Sequence, residues 1–523
     1  MPMNTNNESG EKTNFLSTLL GIYVISIGVG LPLVFRHYYF DILLFKYYYY
    51  CFCTIAMIVL VAAYFIISRA KNNDFSVKDI RNIWEKLSLI DLFVLIYWLI
   101  AIVSTLNSDY LYEAFWGNEG RFTGLFLISW YVLSYFCVSR FWNYKSWYLE
   151  LMLVAGVLVC LFGITDYFKL DIFNFKVNMI PEQKDIFTST IGNINTYTAY
   201  VGIIAAISTV LYAKENRIKQ MICYYICMII SFFAIIMGVS DNAYLSLMAL
   251  FGILPLFLFR DNMGIRRYLI IVASFFSVLQ CIDWINNKLS SQVLGIDGAF
   301  KIVIGFRYLH LLVAFLWLLI LIWYIFGLKA KNRSKDHGNI MIYIWFGIMG
   351  VVLLFVLYIL YDCNIAGHAS RYSSVSNYLV INDDWGTHRG YIWRNGLECF
   401  SKLTLWKKLI GYGPETFGIL ILRATANNKY NELFDSAHNE YLHMLITVGI
   451  LGLVSYMFFL LSFIKRCFSF KKNYYLIAIA FAIICYSAQA FVNLNLPIAT
   501  PIFWLLLGMG STKSILEQDI TKV

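Results

Sequence analysis

Apolar runs of eighteen or more residues recur along the whole chain, separated by short polar breaks. Fourteen such stretches fall near 14–35, 45–68, 88–106, 122–139, 146–168, 190–213, 220–238, 243–259, 268–285, 301–328, 340–362, 441–464, 473–491 and 496–512. About 20 apolar residues are what a helix needs to cross the hydrocarbon core of a bilayer. The ten-residue alternating segments of an outer-membrane barrel are missing. The pattern predicts an all-α, polytopic transmembrane bundle of twelve to fourteen spans, the lower count applying if the pairs at 219–260 and 473–512 merge. It divides the chain into spans 1–11 over residues 1–362, one large loop over 363–440, and three closing spans with a short tail over 441–523.

The large loop has a pattern of its own. Trp393, Leu397 and Phe400 recur at i, i+4, i+7 beside Ile392, Gly396 and Leu403, and Arg389, Arg394 and Lys402 interrupt them. That spacing predicts an amphipathic helix on or near the membrane surface. Gly411, Gly413 and Pro414 predict a tight turn, with Pro414 at the first position of a second helix. Asp435 or Ser436 is the expected N-cap of a span that places His438 in its first turn.

Composition agrees with a membrane protein: 60% of the 523 residues are hydrophobic, 14% are charged and the mean hydropathy is +0.66. A formal net charge of +10 raises nucleic acid as a partner. The distribution of that charge argues against it, because the lysines and arginines sit mainly in short loops. Twenty-four of the 41 Lys and Arg fall on one side of the predicted topology and eight in the short loops of the other. The positive-inside rule then puts both termini in the cytoplasm and the large loop outside. The eleven cysteines show no metal-ligand spacing; only Cys363 and Cys399 fall in the loop, where a disulfide is open to them. The first apolar run lacks a basic leader and a small-residue cleavage site, so it is expected to stay as a span.

Chemistry should gather in the loop. A neutral imidazole at the start of a helix, as expected of His438, suits a general base for an alcohol, the alternative being a histidine that merely bonds a loop carbonyl. Arg389 and Arg394 in the loop, Arg121 in the segment EAFWGNEGRFTGLF and Arg307 inside the tenth span are candidate ligands for a diphosphate, which guanidinium groups bind in a bidentate way. Headgroup contact competes with that reading for Arg121 and Arg394, and a structural ion pair competes for Arg307, which shares a helix face with His310. The amides of Gly411-Tyr412-Gly413 are a weaker candidate phosphate cradle. Metal-dependent sugar transfer finds no support, since the chain has no D-x-D; HExxH, P-loop and G-x-S-x-G patterns are also missing.

Three ordered motifs, RGYIWRNGLECF, LIGYGPETF and DSAHNEYLHMLITVGILGLVSY, resemble the signature region of the O-antigen ligase and O-antigen polymerase superfamily. WGNEGRFTGL, IGNINTYTAY and VNLNLPIATPIFWLLLG resemble further segments of that family, particularly its Gram-positive-type members. The resemblance implies a metal-independent, cofactor-free glycosyltransferase of surface polysaccharide biosynthesis in the bacterial cell membrane. It implies a polyprenyl-diphosphate-linked glycan as donor and a hydroxyl of a glycan, lipid or protein as acceptor. Carried over residue by residue, it makes His438 the base and Arg389 the main diphosphate ligand, with Arg121, Arg394, Arg307, Tyr412, Gly413 and Asn439 as substrate-binding residues. One departure is visible: relatives carry a Ser-Arg pair where this chain reads Gly238-Val239-Ser240-Asp241-Asn242, and Asp241 cannot hold a diphosphate as an arginine would. Polymerase and protein O-oligosaccharyltransferase activities share these motifs. A transporter or flippase of lipid-linked glycans is the competing class, and an inactive assembly partner the third reading.

Overall fold

The computed structural model describes residues 5–71, 87–329, 339–372 and 375–517. Helices α1 (Thr5–Ile25), α2 (Ile42–Lys71), α3 (Leu89–Leu106), α4 (Leu125–Phe141) and α5 (Ser146–Tyr167) open the bundle. They are followed by α6 (Ile194–Lys214), α7 (Ile218–Met237), α8 (Asn242–Leu258), α9 (Asn262–Lys288), α10 (Gly298–Ile304), α11 (Leu309–Lys329) and α12 (Ile340–Asn364). The loop contributes α13 (Trp385–Lys402), α14 (Leu405–Ile410) and α15 (Phe417–Ala424). The chain closes with α16 (Glu440–Thr447), α17 (Gly449–Ser469), α18 (Tyr474–Gln489) and α19 (Thr500–Gly510). Among the described residues the only strands are Phe187–Thr188 and Gly192–Asn193, paired antiparallel. The protein is an all-α polytopic bundle.

Every one of the fourteen apolar stretches is helical. Ten are long and apolar enough to cross a membrane, or eleven if the bent pair α10–α11 is one span, while α4, α8 and α19 are shorter apolar helices. Helix α6 is the hub: 89% of its span window is buried, and it packs on α7, α8 and α18. An apolar helix buried on all sides belongs at the centre of a bundle. Helix α12 is the opposite case, with none of its span window buried, so a sheath of lipid is the solvent its Ile, Val, Leu and Phe side chains match.

The tenth predicted span is broken. α10 and α11 meet at 72°, and Arg307 lies in the exposed break between them, not inside a continuous helix. It therefore shares no helix face with His310. Its guanidinium sits over the Tyr308 ring at 5.6 Å. A break relieves the problem that a charged side chain poses in hydrocarbon, because it delivers the arginine to the surface.

Helix α13 begins in earnest at Arg389, because Gly386, Thr387 and His388 all have left-handed backbones. Its inward face is Ile392 and Gly396, packed on a small second core of Phe417, Ile421, Phe434, Leu442 and Ile446, whereas Leu397 is 51% exposed. Of the expected stripe, Trp393 and Phe400 pack partly buried on the same core and only Leu397 turns away, so the amphipathic face covers protein. Pro414 does not open a helix. Glu415 has φ +58°, which a helix excludes, so α15 starts only at Phe417. Cys363 and Cys399 are both free thiols.

The Gly411–Gly413 turn locks onto the break between α16 and α17. Tyr412 and Gly413 donate their amides to the carbonyls of Ile446 and Thr447, both at 3.0 Å. Gly449 (φ +77°) ends α16 in the left-handed region, and a Cβ there would run into the Leu409 carbonyl and the Gly411 amide. Gly449→Ala should therefore destabilise the protein by about 2 kcal/mol or more, the cost of left-handed strain plus overpacking. Thermal unfolding of the purified protein checks this; an unchanged midpoint would contradict so close a backbone approach.

Candidate active site

His438 sits just outside a helix. Asn439 is the actual N-cap of α16, its side-chain oxygen accepting from the amides of Tyr441 and Leu442 at 3.0 Å each. Asp435 and Ser436 do not cap; Ser436 Oγ instead accepts from the His438 amide at 3.2 Å. The cap leaves His438 at φ +44°, one residue short of the helix, so its ring leaves the helix axis sideways. Trp393 of α13 anchors the same segment, donating its indole N–H to the Ala437 carbonyl at 2.8 Å. The Arg-x-x-x-Trp spacing thereby ties the arginine helix to the backbone of the histidine.

The imidazole is neutral, for a different reason from the expected helix dipole. Burial first, then the charges of Arg389 and Arg121, bring the His438 pKa down to about 4, with Asp435 opposing. Both guanidinium groups are therefore close enough to act on one ring. Among the described residues no protein group hydrogen-bonds that ring.

The arginines divide sharply. Arg389 is largely buried, donates to the Gly386 carbonyl at 3.2 Å and leaves its Nε without a partner. No carboxylate lies within ion-pair distance of it among the described residues, and burial pulls its pKa down, with Asp241 opposing. Arg389 lines a cavity of about 1060 Å³ with Asp241, Tyr244, Tyr378, Trp385 and Phe491; His438 is not in that lining. Arg394 is taken up at the surface by Asp383, through two bonds of 2.9 Å. Arg307 lies apart in the α10–α11 break. The amides of Gly411, Tyr412 and Gly413 all donate within the protein, so they present no phosphate cradle. Asp241 lines the Arg389 cavity.

Arg121 is held in a cluster that the sequence did not announce. Its Nη2 is 2.7 Å from Asp435 Oδ1, and its Nε is 3.9 Å from Glu415 Oε1. Glu415 is 1% exposed and also accepts from the Thr123 hydroxyl, while His443 Nε2 lies 3.6 Å from its Oε2. Asn118 closes the cluster with a 2.8 Å bond to the Glu415 carbonyl. Glu415 is the one acidic residue inside LIGYGPETF, which was the only available signal. His443, five residues past His438, lines one pocket with Arg121, Thr123 and Glu415.

The fold and this site define a class: a multi-pass membrane protein with a neutral histidine and a carboxylate-free arginine under its large loop. Residues 305–457 match the family model described as O-antigen ligase. That stretch runs from the broken span through the loop to α17, and the match supports membership of the O-antigen ligase superfamily. The domain supports O-antigen ligase- or polymerase-type activity in polysaccharide biosynthesis, with a lipid-linked glycan as donor and a glycan as acceptor. No curated protein matches the chain.

The two acids around Arg121 should differ in weight. Glu415→Ala takes the acceptor from the Thr123 hydroxyl and the more buried carboxylate from Arg121, which keeps Asp435, an expected loss of about 2 kcal/mol. Asp435 is 63% exposed, and Asp435→Asn should cost under about 1 kcal/mol. Unfolding midpoints of the two variants test the ranking; equal losses would contradict the buried anchor.

Proposed function

We propose that this protein is a metal-independent, inverting glycosyltransferase of the cell membrane. It takes a glycan from a polyprenyl-diphosphate carrier and passes it to an acceptor hydroxyl at the extracytoplasmic face. Residues 363–440 are the catalytic loop, outside the cell membrane, and both termini are cytoplasmic. The observation that carries this reading is the pairing of a neutral, unbonded imidazole with a buried guanidinium that has no carboxylate of its own.

In the step we infer, the acceptor oxygen attacks the anomeric carbon as His438 takes its proton. The bond from that carbon to the diphosphate oxygen breaks, and the electron pair leaves with the carrier. Arg389 answers the charge that develops on the leaving diphosphate, where preorganised donors count most. Arg121, already paired, adds field at His438 more than it adds a free ligand. Asp241 lines the same cavity, so in this reading the diphosphate sits on the Arg389 side, away from that carboxylate.

A lowered pKa makes His438 an available base across neutral pH and a weaker one in strength. The acid limb of the rate should lie near pH 4, below the usual 6.5 of histidine. Arg389→Gln removes one depressing charge and should move that limb upward while lowering the rate. Replacing His438 by Ala in the native host tests the base directly, with carrier-linked and surface glycans sized by mass spectrometry. Single repeat units accumulating on the carrier would mean a polymerase, and long carrier-bound chains missing from their acceptor a ligase. An unchanged profile with the variant expressed would overturn the catalytic histidine and favour a transporter.

A further inference from the structure

A second polar cavity lies at the end of the bundle away from the loop. Helices α6, α8 and α17 all start at the loop side: α6 beside the Asn195–Asn242–Asn493 cluster, α8 at Asp241 in the Arg389 cavity, and α17 at the Gly411 turn. Their 17 to 21 residues carry the chain about 25–30 Å at 1.5 Å per residue. At their far ends they enclose a pocket of about 380 Å³. Its polar lining is Lys214, Arg260, Asp261 and Lys471, and its apolar lining is Ile253, Leu256, Phe257 and Phe468.

Three cations thus face one carboxylate. Lys214, the last residue of α6, is half-buried with its Nζ 4.6 Å from the centre of the Phe257 ring. Among the described residues no carboxylate hydrogen-bonds to Lys214, Arg260 or Lys471. Asp261, which also caps α9 by accepting from the Gly264 amide at 2.7 Å, answers Lys214 in part and leaves the lining with an excess of two positive charges. Like charges gathered around a half-buried amine cost free energy unless an anion answers them. The other wall is apolar and continuous, with the Phe257 and Phe468 rings 6.4 Å apart. A small inorganic anion has no use for that wall, whereas a lipid presents a phosphate and acyl chains together.

We propose that this pocket binds an anionic phospholipid: the headgroup phosphate between Lys214, Arg260 and Lys471, and the start of an acyl chain along Ile253, Leu256 and Phe257. Basic pockets between helices at a membrane surface bind acidic headgroups with roughly equal increments per cation. The site stands whether or not the loop carries out glycosyl transfer.

Native mass spectrometry of the purified full chain, titrated separately with phosphatidylglycerol and phosphatidylcholine, tests it. The protein should retain phosphatidylglycerol in preference to phosphatidylcholine. The double variant Lys214→Gln, Lys471→Gln should bind phosphatidylglycerol about 30-fold more weakly. Asp261→Asn keeps the cap and removes the negative charge, so its retention should rise, which keeps the test sound if the double variant folds poorly. Unchanged retention in both variants would overturn the site. Displacement of phosphatidylglycerol by millimolar inorganic phosphate would overturn the lipid and leave a free-phosphate site.

Discussion

The carboxylate of Glu415 joins three stretches that are far apart in the chain. It reaches Arg121 before α4, sits in the turn after α14, and faces His443 on α16. A buried carboxylate is costly unless cations and hydroxyl donors surround it, so these neighbours are not free to drift. Arg121 is fixed at its other end by Asp435, three residues before His438. The position of the histidine thus depends on an ion-pair cluster at its back and on the Trp393–Ala437 hydrogen bond at its front.

Within that frame the electrostatics follow from which charges are already answered. Arg394 has Asp383 and Arg121 has two carboxylates, so neither offers an uncommitted guanidinium. Arg389 is largely buried, hydrogen-bonds only a backbone carbonyl and feels Asp241 without pairing to it. A cation left in that condition is favourable only with an anion in prospect, and the proposed diphosphate supplies one. Burial first, and then the charges of Arg389 and Arg121, keep His438 unprotonated, so in the proposed reaction anion binding and general-base readiness share one arrangement.

Much of this was legible in the sequence, and the failures have physical causes. Apolar length located every helix of the bundle, because the bilayer sets that length. It could not see the 72° break at Arg307, since a short interruption leaves the apolar count intact. Residue type and motif singled out His438 and Arg389 as candidates, but the cap was displaced from Asp435 or Ser436 to Asn439, because cap-forming residues crowd this segment and only the backbone decides among them. The glycine turn was recognised while its purpose was not: its amides serve the α16–α17 break, an interaction across more than thirty residues of sequence. Glu415 and His443 went unread because their partners come together only in the folded chain.

Binding of polyprenyl diphosphate to the purified protein, measured for the parent, Arg389→Gln and His438→Ala, tests the central claim most directly. The account predicts that Arg389→Gln weakens binding at least about tenfold, as loss of a charge-assisted bond to phosphate should. It predicts that His438→Ala binds the diphosphate as well as the parent does, since a base for the acceptor does not hold the leaving group. Equal binding by parent and Arg389→Gln would contradict the assignment of Arg389 as the diphosphate ligand.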